Sequence, residues 1–229
     1  MRPDFAEEFA AIAKDLHAAP TSTETAEQVV AYACEQLGAD YGGITLIRRG
    51  GRLETVAPTD TLVERADALQ IELGEGPCHD SAWEQETMAS PDLVHDERWP
   101  QWAPKAAALG IASALGTQLT GIDGRRLGAL NLFWREAHAF SRDDVAFAGI
   151  FARHAAIALH ASQTEEGLQT ALDARKLIGQ AQGILMERYQ LDQDKAFDVL
   201  RRFSQDHNLK LRDVAEHLVT RRELPTADG

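Results

Sequence analysis

The sequence predicts an α+β domain in which an antiparallel sheet is flanked by helices, followed by a long helical or coiled-coil stalk and an all-α unit of three helices. Three observations carry this. Two apolar, β-favouring pairs of runs meet at glycine-containing turns, a proline-free stretch of helical periodicity runs from 141 to 189, and two amphipathic segments follow it. At 229 residues the chain exceeds one typical domain of ~150 residues.

Residues 3–18 and 24–38 read as helices, with Phe5, Phe9, Ile12, Ala13 and Leu16, then Ala26, Val29, Val30, Ala33 and Leu37, at helical spacing. Thr23 is the expected cap of the second and Gly38 its stop. YGGITLIRRGGRLETVAP then gives a hairpin around Arg49-Gly50-Gly51-Arg52. Residues 59–110 are broken by Gly74, Gly76, Pro77, Pro91, Pro100 and Pro104 into short pieces that read as loops. They carry Trp83, Trp99 and Trp102, aromatic area that usually folds over something.

ASALGTQLTGI and RRLGALNLFWR form the second hairpin around Ile122-Asp123-Gly124-Arg125. Ser141, just ahead of Asp143 and Asp144, caps a helix that nothing stops before Tyr189. Heptad positions 150, 157, 164, 171, 178 and 185 read Ile, Ile, Thr, Ala, Ile, Leu, and the alternate seam contains Leu168. Ile150, Ile157, Leu168, Ala171, Ile178 and Leu185 are therefore the expected contacts of a parallel dimer stalk over 150–185. The alternative is a bent helix packed on its own domain. Helices 192–207 and 210–222 follow, and 223–229 reads as a disordered tail.

Hydrophobic residues make up 44% and charged residues 26%, the profile of a globular protein with a core. The opening MRPDFAEEF does not read as a secretory signal, and the longest uncharged run, 106–122, is short for a membrane span, so a cytoplasmic protein is expected. Cys34 and Cys78 form neither a disulfide framework nor a zinc motif, and no metal or other cofactor is expected. A Walker motif, nucleophile elbow, HExxH and dinucleotide fingerprint are all missing, so no catalytic residues are assigned and a non-enzyme is expected. The net charge of −13 argues against a nucleic-acid partner until its distribution is considered. Residues 171–229 hold 10 Lys/Arg and 10 Asp/Glu, against 13 and 26 in the rest.

Gly74-Glu75-Gly76-Pro77-Cys78-His79 is the most distinctive cluster of the first part. Its backbone N–H groups could cradle an anion or ligand with Cys78 and His79 as polar handles, or Pro77 simply starts a short helix and Cys78 is buried as a small apolar group. Gly76, Cys78, His79, Trp83 and Trp99 are the candidate small-molecule pocket. A redox-sensing Cys78 thiolate would need a charged His79 beside it.

Residues 171–219 resemble the ANTAR family of RNA-binding antiterminator domains. The resemblance rests on Arg175, Ile178, Ala181, Gly183, Leu185 and Met186, then Ala196, Phe197, Leu200, Arg201 and Ser204, then Lys210, Leu211, Val214 and Ala215. It implies a three-helix unit over 165–222 that, as a homodimer, grips two adjacent hexaloop stem-loops of a leader transcript. Loop bases are what sequence-specific RNA binders read. Arg201, Arg202, Lys210 and Arg212 gather around the last interhelical turn with Ser204, Gln205 and Asn208. Arg175 belongs to the fingerprint. Tyr189 either stacks on a base or closes the helical core, and Ala181 and Gly183 permit close packing.

Residues 1–160 resemble a GAF domain in element order and in LGEGPCHDSAW, DERWPQWAPKAAALGIASALGTQL and LGALNLFW. This implies a small-molecule sensor, although the NKxxFDE-type cyclic-nucleotide signature of some members is missing. The expected protein is thus an RNA-binding antitermination regulator under GAF control. The rivals are a DNA-binding helix-turn-helix regulator and a sensor that docks a protein without nucleic acid.

Overall fold

A computed structural model of the chain describes residues 19, 21–84 and 87–225. The helix expected over 3–18 and the tail end at 226–229 lie outside them. The chain divides into a sheet unit, 1–164, and a helical unit, 165–229.

The sheet unit opens with α1, Ser22–Leu37, whose buried Thr25, Ala26, Val29, Val30 and Ala33 lie on one face. Its cap is Thr21 rather than Thr23: Thr21 is in extended conformation and its hydroxyl accepts from the Glu24 N–H at 3.1 Å, so the helix begins earlier than expected. Gly38, at φ 67°, closes it with a left-handed turn. Strands β1, Tyr41–Ile47, and β2, Leu53–Val56, form the first expected hairpin. Strands β4, Ser113–Thr120, and β5, Arg126–Trp134, form the second.

The stretch read as loops between them holds three helices and a strand: α2, Thr61–Leu73; α3, Pro77–Glu84; β3, Thr87–Ser90; and α4, Trp102–Ala108. The glycines and prolines there separate helices instead of dissolving them. Gly74, at φ 64°, is the left-handed C-cap of α2, and Pro77 occupies the first turn of α3, where its missing N–H costs nothing.

All five strands pair antiparallel in the order β2-β1-β5-β4-β3. Alternation along β5 divides the core. Leu130, Leu132 and Trp134 pack with α1, Ile44, Leu46, Leu115 and Leu119, while Phe133 joins Val63, Trp99, Trp102 and Ala106 from α2, α4 and the loop before α4 on the opposite face. Two close approaches require glycine. A Cβ at Gly116 would strike the Pro77 carbonyl where α3 lies on the sheet, and one at Gly128, where φ is 151°, would overlap the Thr45 carbonyl oxygen.

The helix α5, Arg142–Tyr189, is 48 residues long. Ser141 and Asp144 make a reciprocal capping box: Asp144 N–H donates to Ser141 Oγ at 3.1 Å and Ser141 N–H to Asp144 Oδ2 at 2.8 Å. An 18-residue window of α5, mean hydropathy 1.3, is long and apolar enough by length and composition to cross a membrane. Ala148, Phe151, Ala152, Ala155, Ala156 and Leu159 of this helix are buried in the core of the sheet unit.

In the helical unit, the last part of α5 packs with α6, Gln193–Asp206, and α7, Leu211–Arg221, around Ala181, Leu185, Ala196, Leu200, Val214, Ala215 and Leu218. Asp192 caps α6 by accepting from the Lys195 N–H at 2.8 Å. Of the expected stalk residues, Leu185 is only 1% exposed in this core and Ile178 packs against it, so Leu185 is not free for a seam. Ile150 and Ile157 are half-buried, whereas Ala171 and Leu168 are exposed, as is Leu172 one turn beyond Leu168.

Gly128→Ala should destabilise the sheet unit by about 2–4 kcal/mol, since both the conformation and the space are wrong for a side chain. Tryptophan fluorescence through a urea titration reads this unit selectively, because all four tryptophans lie within it.

Candidate nucleic-acid interface and buried polar core

The turn between α6 and α7 is built by its own hydrogen bonds. Ser204 Oγ donates to the Leu209 carbonyl at 2.6 Å, and the Leu209 N–H returns a bond to the Ser204 carbonyl at 3.0 Å. The Asn208 N–H donates to the Gln205 carbonyl at 3.3 Å, and Asn208 itself sits at φ 52°, a left-handed conformation that Asn tolerates. Ser204 therefore shapes the turn with its side chain, while Gln205 and Asn208 are exposed.

The cations expected here differ in availability. Arg201 Nη2 is 2.8 Å from Asp198 Oδ1, an exposed pair on one helix face. Arg202, Lys210 and Arg212 are exposed and form no ion pair among the described residues. Arg175 is exposed on α5, a different element from the turn. Tyr189 is 59% exposed, so it does not close the helical core; Met186 packs against that core instead. Ala181 is fully buried, as close packing requires, but Gly183 is not needed for packing, because a Cβ there would meet nothing within 4 Å. Gly183 lines an open groove of 460 Å³ with Ile184, Arg188, Val219 and Arg222, where Arg188 Nη1 donates to the Arg222 carbonyl at 2.7 Å.

In the sheet unit the GEGPCHD segment works as an internal rivet. Glu75 accepts from the Gln101 N–H and Nε2, each at 2.8 Å, and from the Trp102 N–H at 3.1 Å, tying the start of α4. Gly76, at φ 126°, lies against the Gln70 side chain, whose Oε1 accepts the Cys78 N–H at 2.8 Å. That N–H, expected in a ligand cradle, is thus taken by the chain itself. Asp80 Oδ2 accepts the Trp99 indole N–H at 2.7 Å, and its Oδ1 lies 3.2 Å from His79 Nδ1. Cys78 and Trp99 are each 1% exposed; Trp83 is 37% exposed.

Beneath this segment lies a carboxylate that the sequence reading passed over. Asp67 is fully buried on α2. Its Oδ2 accepts from Thr45 Oγ1 of β1, Thr55 Oγ1 of β2 and Asn131 Nδ2 of β5, each at 3.1 Å. Its Oδ1 accepts from Gln70 Nε2 at 3.2 Å and from the same Asn131 amide at 3.1 Å. Burial pushes the Asp67 carboxyl up to about 6, against the opposing pull of the Thr55, Thr45, Asn131 and Gln70 hydrogen bonds. The Cys78 thiol is raised by burial and then by the neighbouring Asp67 charge, the reverse of what a redox-sensing thiolate needs, and Cys34 is pushed up to about 11 by burial. The available signal was polar Asp67 and Gln70 sharing the helix face of apolar Val63 and Ala66, with Thr45 and Asn131 inside the strand runs ITLI and LNLF.

Compared with known proteins, residues 19–160 match the family model described as GAF domain and residues 166–219 that described as ANTAR domain. No curated protein matches the chain. Among solved structures, the GAF domain of a phosphoenolpyruvate-protein phosphotransferase from Coxiella burnetii is 21% identical, with a TM-score of 0.56 over 73% of this chain and 97% of that one. A domain of a two-component sensor histidine kinase protein from Sinorhizobium meliloti 1021 is 20% identical, TM-score 0.53, over 64% and 95%. The free methionine-R-sulfoxide reductase from Neisseria meningitidis is 16% identical, TM-score 0.51, over 67% and 87%. At these identities the likeness shows the fold alone.

Because the folded Asp67 value of about 6 lies above the ordinary 3.8, the folded state binds this proton more tightly than the unfolded chain. The stabilising contribution is complete below pH 4 and lost as pH rises through 6, about 3 kcal/mol in all. Urea midpoints read by tryptophan fluorescence should show wild type falling relative to Asp67→Asn between pH 4 and 6.5. Parallel curves would mean that the carboxyl is not held as described.

Proposed function

Because the chain belongs to the GAF family and continues into an ANTAR domain, an RNA-binding regulatory module, we propose that it is a transcription antitermination regulator. In this reading a homodimer grips paired hexaloop stem-loops in leader RNA and holds back the nucleotides that would otherwise form a terminator. The observation that carries it is the α6–α7 turn, which presents Arg202, Lys210 and Arg212, without ion-pair partners among the described residues, together with the exposed amides of Gln205 and Asn208. Cations position such a complex on phosphates, and amide tips read bases. The equal numbers of acids and bases in 171–229 leave little non-specific attraction, so loop contacts must supply the discrimination.

Exposed Leu168 and Leu172, one turn apart on α5, support dimerisation along this helix. The controlling signal enters at the GAF domain, with Gly76, Cys78, His79, Trp83 and Trp99 as its proposed site; His79 and Trp83 are its solvent-reachable members. The protein acts in the cytoplasm, where nascent transcripts are available.

Fluorescence anisotropy of the full chain with a labelled paired-hexaloop RNA, a loop-scrambled RNA and a DNA duplex tests the reading. Loop-dependent binding is expected, with log affinity falling against log salt at roughly −1.4 to −2 per subunit for two or three phosphates at ~0.7 each. Lys210→Ala and Arg212→Ala should each weaken binding about tenfold. Preference for the duplex would favour a helix-turn-helix DNA regulator, and no binding to any of the three would favour a protein-docking sensor.

A further inference from the structure

The α6–α7 turn carries a second chemistry beside its cations. His207, the first residue beyond α6, lays its ring flat on Phe203 one turn earlier, with centroids 4.1 Å apart and planes 16° from parallel. His207 Nδ1 lies 3.0 Å from the Phe203 carbonyl oxygen, a contact only a protonated Nδ1 can make as donor. One face and one edge of the imidazole are therefore fixed by the chain. His207 is nevertheless exposed, and Phe203 holds neither its other face nor its Nε2 edge. Phe203 is half-buried and packs on the helical core, which anchors the pair.

We infer that His207, backed by Phe203, is a stacking platform for one unpaired RNA base. The inference rests on the RNA-binding reading above and adds to it the contact that takes a base instead of a phosphate. A surface imidazole already locked in face and edge loses little freedom when a flat partner covers it. Loop nucleotides are recognised by just such stacking on Phe, Tyr, Trp or His. Charge separates base from phosphate along the turn. Exposed Asp206 directly precedes His207 and disfavours an anion there, whereas Lys210 and Arg212, beyond the bend at Asn208, carry no ion pair among the described residues and suit the backbone. The exposed Asn208 amide, next in the chain, offers a donor and an acceptor for the edge of the stacked base.

The test uses the full-length protein and the paired-hexaloop RNA with 2-aminopurine placed singly at each loop position, comparing wild type, His207→Ala and His207→Phe. Wild type and His207→Phe should change the fluorescence of one loop position, and His207→Ala should lose that change. His207→Ala should also weaken affinity about 5- to 150-fold, as removal of one base–aromatic stack does, while leaving the salt slope unchanged. Lys210→Ala, in contrast, should make the slope shallower by about 0.7. Equal affinity of wild type and His207→Ala overturns the platform while leaving the RNA reading intact. So does loss in His207→Phe equal to that in His207→Ala with no position-specific signal, which would mark a structural role in capping α6. Failure of wild type to bind any loop RNA overturns the RNA reading and the platform with it.

Discussion

A carboxylate sealed from water must find all its hydrogen bonds inside the protein, and Asp67 finds them on four different elements. Thr45 comes from β1, Thr55 from β2, Asn131 from β5, and Gln70 from the next turn of α2 itself. Moving α2 along the sheet would leave a buried charge unpaired, among the largest penalties a core can suffer. The helix layer is therefore held in register with the strands by polar geometry, whereas apolar packing alone would allow it to slide. Gln70 carries the constraint onward, since its amide donates to Asp67 and its carbonyl oxygen accepts from the Cys78 backbone.

Close approach of that layer depends on missing side chains. Gly116 lets the start of α3 touch the middle of β4, and Gly76 lets the chain pass over Gln70. Glu75 and Asp80 then extend the connection to α4 and the loop before it through the Gln101 and Trp102 backbone and the Trp99 indole. A segment whose composition suggests a ligand cradle is thereby occupied by bonds within the chain. Among the candidate pocket residues, His79 and Trp83 remain within reach of solvent. A signal acting here would have to work through side chains already bonded to Asp67, so small shifts of Asp67 and its neighbours would be felt by three strands at once.

The helical unit solves a different problem. Its core is small, centred on Leu185, Leu200 and Leu218 with alanines between them, and small cores are marginal on their own. The bonds between Ser204 and Leu209 and the cap at Asp192 fix the turn and the helix start without adding apolar bulk. The fixed turn lies between exposed Arg202 near the end of α6, exposed His207 just beyond it, and exposed Lys210 and Arg212 at the start of α7. The rest of the chain is strongly acidic, so under the proposed RNA-binding function the attraction to a phosphate backbone would have to come from this unit.

The sequence by itself determined whatever is encoded within a few residues. Both hairpins follow from their glycine turns, the capping box from Ser141 and Asp144, the end of α1 from Gly38, and the three C-terminal helices from periodicity together with the ANTAR fingerprint. Tertiary structure decided what depends on distant partners. Helices α2 and α4 were hidden because Gly74, Gly76 and Pro104 read locally as breakers, whereas a short helix starting at Pro77 was one of two readings of that segment and is the one that formed. The Asp67 cluster joins residues up to 86 positions apart, beyond any local pattern. Leu185 satisfies a heptad as well as a three-helix core. Periodicity names the face of a helix; which neighbour covers that face is settled only by folding.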